Sequence, residues 1–361
     1  MKKNLLYFSY CIIVFVFCYS SLIAQQDQKP YKEEEVRFKA GNVTLAGTLT
    51  IPKLPGQHPV VILISGAGVD NRDAEVSGFK PFRIMADHLS RHGIAMLRCD
   101  DRGVGESTGK HILQSTIEDL ADDVFAAIKL LKSRNDINPI QIGLIGHSLG
   151  GLISAYVAAR SADVAFIIPL AGPVTKTDEM NLKYRKTLLT RQGKTQKEID
   201  RAVEVEKRMV EVTQTGIGYK DLLEDMKAIE ESNFEKLNED QKKRYNSFDE
   251  YYQSTWYGLL SSYINTPLMR SFYNYKPVPH LEKVTCPALF LFGERDDQVP
   301  IQDSGDLIIN ALNKAGNYDY TLRIIPKADH YFVRDWSKKE FTPGFLNILS
   351  NWILERVDIV K

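Results

Sequence analysis

Gly146-His147-Ser148-Leu149-Gly150 sets a serine between two glycines, after an apolar run at 140–145 and before a helix-compatible run at 152–159. A buried strand, a G-x-S-x-G turn and a helix, in that order, is the setting of a nucleophile elbow. Small residues at 146 and 150 leave room for a sharp turn that lifts the hydroxyl clear of a sheet. The helix N-terminus behind it favours developing negative charge. A small-residue turn without chemistry is the alternative for the pentapeptide alone; its context favours Ser148 as a nucleophile.

Serine at neutral pH needs a base within hydrogen-bond reach, and the base needs a carboxylate to hold it. His330, just past the final apolar strand, fits the order serine, acid, histidine. His58, His88, His92, His111 and His147 precede the serine, and His280 comes before the strand that should carry the acid. That strand ends at Leu291-Phe292-Gly293-Glu294-Arg295-Asp296-Asp297, where spacing leaves Asp296 and Asp297 both open. Asp329 reads as a turn residue. A tetrahedral intermediate also needs two donors. The backbone N–H of Leu149 is one candidate. The N–H of Ala67, in Ser65-Gly66-Ala67-Gly68, is the other, although glycines there also suit a merely tight turn. This loop carries neither G-x-G-x-x-G nor a Walker pattern, so no nucleotide cofactor is expected.

The elements that must position these groups follow from hydrophobic patterning. Alternating segments at 35–40 and 43–50 flank Gly41-Asn42, a hairpin signal. Near-continuous apolar strands follow at 60–64, 95–98, 140–145, 165–168, 288–292 and 321–325. Helical patterns lie near 80–92, 116–133, 149–160, 302–315 and 341–355. Such alternation predicts an α/β fold with a mostly parallel sheet covered on both faces. The insert at 175–275 is charged and helix-periodic, with a capping box at Thr195-Gln196-Lys197-Glu198. It reads as a helical cap rather than a coiled-coil arm, because its periodic runs are short and Gly216 and Gly218 interrupt them. Aromatic residues crowd 245–275, either as cap core or as an aromatic substrate wall.

Composition sets outer bounds. The 361 residues are 43% hydrophobic and 25% charged, with 46 basic and 46 acidic side chains, so nothing points to nucleic acid. Residues 1–24 read as a signal peptide: Lys2-Lys3 precede an apolar stretch from Leu5 to Phe17, with a cut after Ala24. A retained anchor is the alternative. Cleavage leaves 44 basic against 46 acidic residues, a net charge of −2, and an exported bacterial protein with no stable membrane span. Residues 25–34 read as a flexible lead-in, 35–174 and 276–361 as the two parts of the core, and 175–275 as the cap. Cys99 and Cys286 read as small buried hydrophobes, and scattered histidines give no metal site.

The chain resembles the α/β-hydrolase superfamily, especially bacterial serine esterases related to dienelactone hydrolases and acylaminoacyl-peptidase catalytic domains. The resemblance rests on Ser65-Gly66-Ala67-Gly68-Val69-Asp70-Asn71-Arg72-Asp73, on 98–107, on the Ser148 elbow, on 286–300 and on Ala328-Asp329-His330. In that family's G-x-x-D-x-x-V-P pattern the aspartate is the triad acid, which here falls on Asp296. Ser65-Gly66 replaces a common His-Gly, and Lys276 stands where an aspartate is common, so the acyl pocket is expected to differ. Asp70, Arg72, Asp101 and Arg102 read as loop-bracing salt bridges or turn residues rather than active-site charges.

The expectation is an exported, cofactor-free serine hydrolase of small-molecule carboxylic esters, with the cap shaping the substrate and the oligomeric state open. A peptidase or amidase of acylaminoacyl-peptidase type is the rival enzyme. A non-catalytic binding protein on the same fold is the rival of another class.

Overall fold

A computed structural model describes residues 29–68, 70–299 and 301–359. The expected signal segment lies outside the described residues. Eight strands form one sheet in the order β1-β2-β4-β3-β5-β6-β7-β8. They are β1 (Tyr31–Ala40), β2 (Val43–Pro52), β3 (His58–Ile64), β4 (Ala95–Cys99), β5 (Ile137–His147), β6 (Phe166–Leu170), β7 (Ala288–Gly293) and β8 (Tyr320–Ile325). The β1/β2 and β2/β4 pairs are antiparallel and the other pairs are parallel. Each apolar strand expected from the sequence is present.

The first strand corrects one boundary. β1 begins at Tyr31, within the segment expected to be a flexible lead-in. Burial of the Tyr31 ring and its hydroxyl bond to Asp87 at 2.6 Å anchor this end. Arg134 holds Glu34 at 2.7 Å.

Core helices α1 (Pro81–Arg91), α2 (Ile117–Lys132) and α3 (Leu149–Ala158) connect the parallel strands. The cap follows as α4 (Thr177–Arg191), α5 (Gln196–Thr215), α6 (Tyr219–Glu235), α7 (Glu239–Lys242), α8 (Phe248–Ser254), α9 (Trp256–Ser261) and α10 (Pro267–Asn274). The chain then completes the core with α11 (Val278–Leu281), α12 (Ile301–Lys314) and α13 (Phe345–Leu354). The last helix starts later than periodicity suggests. Phe341 instead pairs with Val333 in an isolated antiparallel bridge, and Gly344 caps the helix at φ 85°.

Side-chain alternation along the strands explains why both faces are covered. Val60, Ile62 and Ile64 of β3 pack with α2, α3 and α12, whereas Val61 and Leu63 pack with α1 and α13. Full burial of each such aliphatic side chain contributes about 1.5–3 kcal/mol.

The cap builds its own smaller core. Val205, Met209 and Val212 of α5 pack against Leu222 and Met226 of α6, with Tyr252, Tyr257 and Ile264 closing the cluster. Thr195 and Glu198 form a reciprocal capping box on α5. Gly216 at φ 77° ends α5 and Gly218 at φ 81° opens α6, so the interrupting glycines make a tight helix–helix corner. The 245–275 aromatics pack largely with one another and with α6: Phe234 lies 5.0 Å from Tyr251 and 5.8 Å from Phe248 between ring centroids. Of the two readings of that run, cap core is the one the packing favours.

Candidate active site

The site grows from the ends of β3 and β5, which are adjacent in the sheet, with Ile64 opposite Gly146. β4 lies on the other side of β3, so the direction of winding reverses here. Crevices at such reversals, outside the carboxyl ends of parallel strands, are where ligands bind.

Between β5 and α3 the chain turns at Ser148, whose φ is 54° and ψ −116°. A non-glycine residue in that region carries about 1–3 kcal/mol of strain, tolerated only where surroundings over-determine it. Three backbone bonds do so. Ser148 N–H donates to the Leu170 carbonyl at 2.8 Å, while its own carbonyl accepts from Gly151 at 2.9 Å and Leu152 at 3.4 Å. The flanking glycines are required by contact. A Cβ on Gly146 would stand 2.0 Å from the Gly150 carbonyl oxygen, and one on Gly150 would stand 2.2 Å from that of Ile64. Leu149 opens α3, so its N–H is among the first four of the helix that lack an intrahelical acceptor.

The two aspartates that spacing left open are separated by the fold. Asp296 Oδ2 lies 2.8 Å from His330 Nδ1, and Oδ1 accepts the backbone N–H groups of Gln298 and Val299, each at 2.9 Å. Its side chain is fully buried. Asp297 points outward and pairs with Arg191 at the end of α4, which ties the cap to the loop after β7. Asp329 braces its own loop, accepting from Tyr331 and Val333 N–H and from Trp336 Nε1 at 2.6 Å.

Ser148 and His330 line one cavity of about 270 Å³, together with Gly66, Ala67 and Gly68 of the loop after β3. No hydrogen bond joins the Ser148 hydroxyl to His330 among the described residues. Such contacts are often loose without substrate and tighten in the reacting complex.

His147 is the group that sequence reasoning passed over. Its Nε2 bonds the His330 carbonyl at 3.0 Å, and burial pushes its pKa down to about 3. A neutral His147 therefore donates this bond and steadies the backbone of His330. Nothing in the sequence signals it, because the partner lies 183 residues away.

Two expectations are corrected. The walls of this cavity come from core segments, including Phe82, Tyr331, Phe332 and Phe341, and no cap residue lines it among the described residues. The charged residues after β3 and β4 also divide. Arg72 pairs with Asp100 at 2.7 Å and Arg102 with Asp123 at 2.7 Å, both bracing loops. Asp101 makes no salt bridge among the described residues. It accepts from the Ser65 hydroxyl at 2.5 Å and from the Asp70 N–H at 3.0 Å, and burial pushes its pKa up to about 8. The Asp70 side chain makes no hydrogen bond or ion pair among the described residues; it lines the cavity. Cys99 and Cys286 are free thiols whose pKa burial raises, as suits unreactive packing residues.

Comparisons with known proteins agree with this architecture. Residues 77–255 match the family model described as Serine aminopeptidase, S33, and residues 240–354 match that of the Prolyl oligopeptidase family. Esterase EstD of Thermotoga maritima is 34% identical over 165 residues, 45% of this chain and 38% of that protein. Esterase FrsA of Vibrio vulnificus is 29% identical over 179 residues, 47% of this chain and 40% of that protein. The chain thus spans about two-fifths of the length of these relatives. Among solved structures, a Pyrococcus furiosus esterase superposes with a TM-score of 0.55 at 18% identity, over 90% of this chain and 93% of the other. The sheet order, the turn at Ser148 and these matches converge on one assignment: the chain has the α/β-hydrolase fold.

Proposed function

We propose that this protein is a serine hydrolase of carboxylic esters. The observation that carries the reading is the Asp296–His330 bond at 2.8 Å, with His330 and the strained Ser148 facing one cavity. Asp296 holds the imidazole with its proton on Nδ1, leaving Nε2 to accept the Ser148 proton. Ser148 attacks the ester carbonyl, and the N–H groups of Leu149 and Ala67 receive the oxyanion. The protonated imidazole gives its proton to the departing alcohol. His330 then activates a water that releases the acid and frees Ser148. The residues use no cofactor or metal in these steps. The relatives named esterases support ester over amide substrates.

Amide hydrolysis is the second reading, favoured by the peptidase descriptions of both matching families. Purified protein, assayed on matched p-nitrophenyl esters and aminoacyl anilides, separates the two. Ester turnover should dominate, and dominant anilide turnover reverses the assignment. A fluorophosphonate probe should label the native protein and leave Ser148→Ala unlabelled. Absence of labelling in the native protein would instead fit a non-catalytic binding protein. The leader at 1–24 supports export, and an N-terminus beginning at Gln25 on protein recovered from the periplasm or medium would test it.

A further inference from the structure

Asp70 has a half-buried side chain on the loop that carries Ala67. Its backbone is held from both directions: its N–H donates to Asp101 Oδ2 at 3.0 Å, and its carbonyl accepts the Asp101 N–H at 3.1 Å. Among the described residues its carboxylate accepts no hydrogen bond and joins no ion pair, while neighbouring Asp73, Asp100, Asp101 and Asp123 all have partners. That free carboxylate lines the Ser148 cavity and folds against Gly68, where an added Cβ would stand 3.0 Å from its oxygen. The other acidic side chain on the cavity, Glu75, is paired with Lys80 at 3.1 Å. Among the described residues no lysine or arginine lines it. Desolvation without compensation raises the Asp70 pKa, as expected of a carboxylate awaiting a partner.

A partly desolvated carboxylate without a partner is costly, and its cost is relieved by a cationic donor. We propose that Asp70 is a substrate-binding residue that accepts a hydrogen bond from an ammonium group on the substrate, making the site selective for amine-bearing esters. This rests on the ester-hydrolase reading for its chemistry and on the unpaired carboxylate for its selectivity. The charge also sits beside the loop whose Ala67 N–H would receive the oxyanion. An uncompensated negative charge there opposes the developing oxyanion, and a substrate ammonium would cancel it. The preference therefore reaches kcat as well as KM.

The test uses p-nitrophenyl esters whose acyl chains end in ammonium, in isosteric methyl or in carboxylate, over a series of short chain lengths. At the best length the ammonium ester should exceed the methyl ester in kcat/KM by about ten- to hundredfold, the effect of a charge-assisted bond, and the carboxylate ester should be slowest. Asp70→Asn should bring the ammonium-to-methyl ratio to within about threefold of unity. A native ratio near one, or a ratio unchanged in Asp70→Asn, overturns the proposal. If no ester is turned over, the hydrolase reading fails and Asp70 is judged by binding instead. Hexylammonium should then bind Ser148→Ala more tightly than hexanol does, and lose that advantage when Asp70→Asn is added. Equal binding of the two ligands to Ser148→Ala also overturns it.

Discussion

Asp296→Asn probes the proposed chemistry through the orientation of one side chain. In the folded protein Oδ1 faces two backbone donors at 2.9 Å, and Oδ2 faces His330 Nδ1 at 2.8 Å. Asparagine has one accepting end and one donating end. Turning Nδ2 towards Gln298 and Val299 would set donor against donor twice, at about 1–3 kcal/mol for each unsatisfied group. The carbonyl therefore keeps that side, and Nδ2 donates to His330 Nδ1. The imidazole proton moves to Nε2, which then has no lone pair for the Ser148 proton. We expect kcat to fall by about 10³–10⁴, equivalent to roughly 4–5.5 kcal/mol of barrier, with the fold retained because the two side chains are nearly isosteric. Asp297→Asn is the internal control. Its carboxylate sits in a solvent-exposed pair with Arg191, worth about 1 kcal/mol or less, so turnover should stay within about fivefold of native. Steady-state hydrolysis of a p-nitrophenyl ester, together with the rate of fluorophosphonate labelling, reads both variants. Native-like rates in Asp296→Asn, or an equal collapse in Asp297→Asn, would refute the reasoning.

Three further outcomes follow from the same geometry. Gly150→Ala drives a methyl group to 2.2 Å from the Ile64 carbonyl oxygen and 2.5 Å from that of Ser65; it should lose about 3 kcal/mol or more of stability in urea denaturation, and a native-like midpoint would contradict that crowding. Ser148→Gly removes a side chain from a residue at φ 54°, so it should abolish turnover yet raise stability by about 1 kcal/mol; a lowered midpoint would argue against strain at the elbow. Asp101 supplies a pH signature. Its folded pKa, near 8, lies above the ordinary 3.8, so the folded state keeps a proton that the unfolded chain releases. Stability should decline as pH rises through that window, by no more than about 1.4 kcal/mol per unit. Asp101→Asn should flatten the decline between mildly acidic and mildly basic pH in urea titrations, and an unchanged slope would place the titrating group elsewhere.

Much of the core was legible because its information is local. A strand buried on both faces must be apolar along its length, so β3, β5 and β7 announce themselves. The glycines around Ser148 are equally readable, since only glycine permits the backbone approach at 146 and 150. The capping box of α5 is a short-range signal of the same kind. The first ten-residue strand was less legible at its beginning. Lys32 to Glu35 alternate weakly, and what holds them is pairing with β2 and with Arg134, far along the chain.

Other choices depended on which distant segments meet. Adjacent aspartates at 296 and 297 look alike in sequence, and only the bend after β7 sends one to His330 and the other to Arg191 of the cap. The aromatic run at 245–275 left cap core and substrate wall both open, and helix packing folds much of it into the cap, while rings from 82, 331, 332 and 341 line the cavity. The charges after β3 carried an expectation of loop-bracing salt bridges or turns; the fold gave Arg72 an ion pair and, among the described residues, left the Asp70 carboxylate without one. Sequence alone therefore determined the chain's local conformations and the order of its reactive residue types, because backbone sterics and burial period act over a few residues. Tertiary structure alone decided which carboxylate meets the imidazole and which stays unpaired, because crossover connections and helix packing set distances between residues that no short-range spacing encodes.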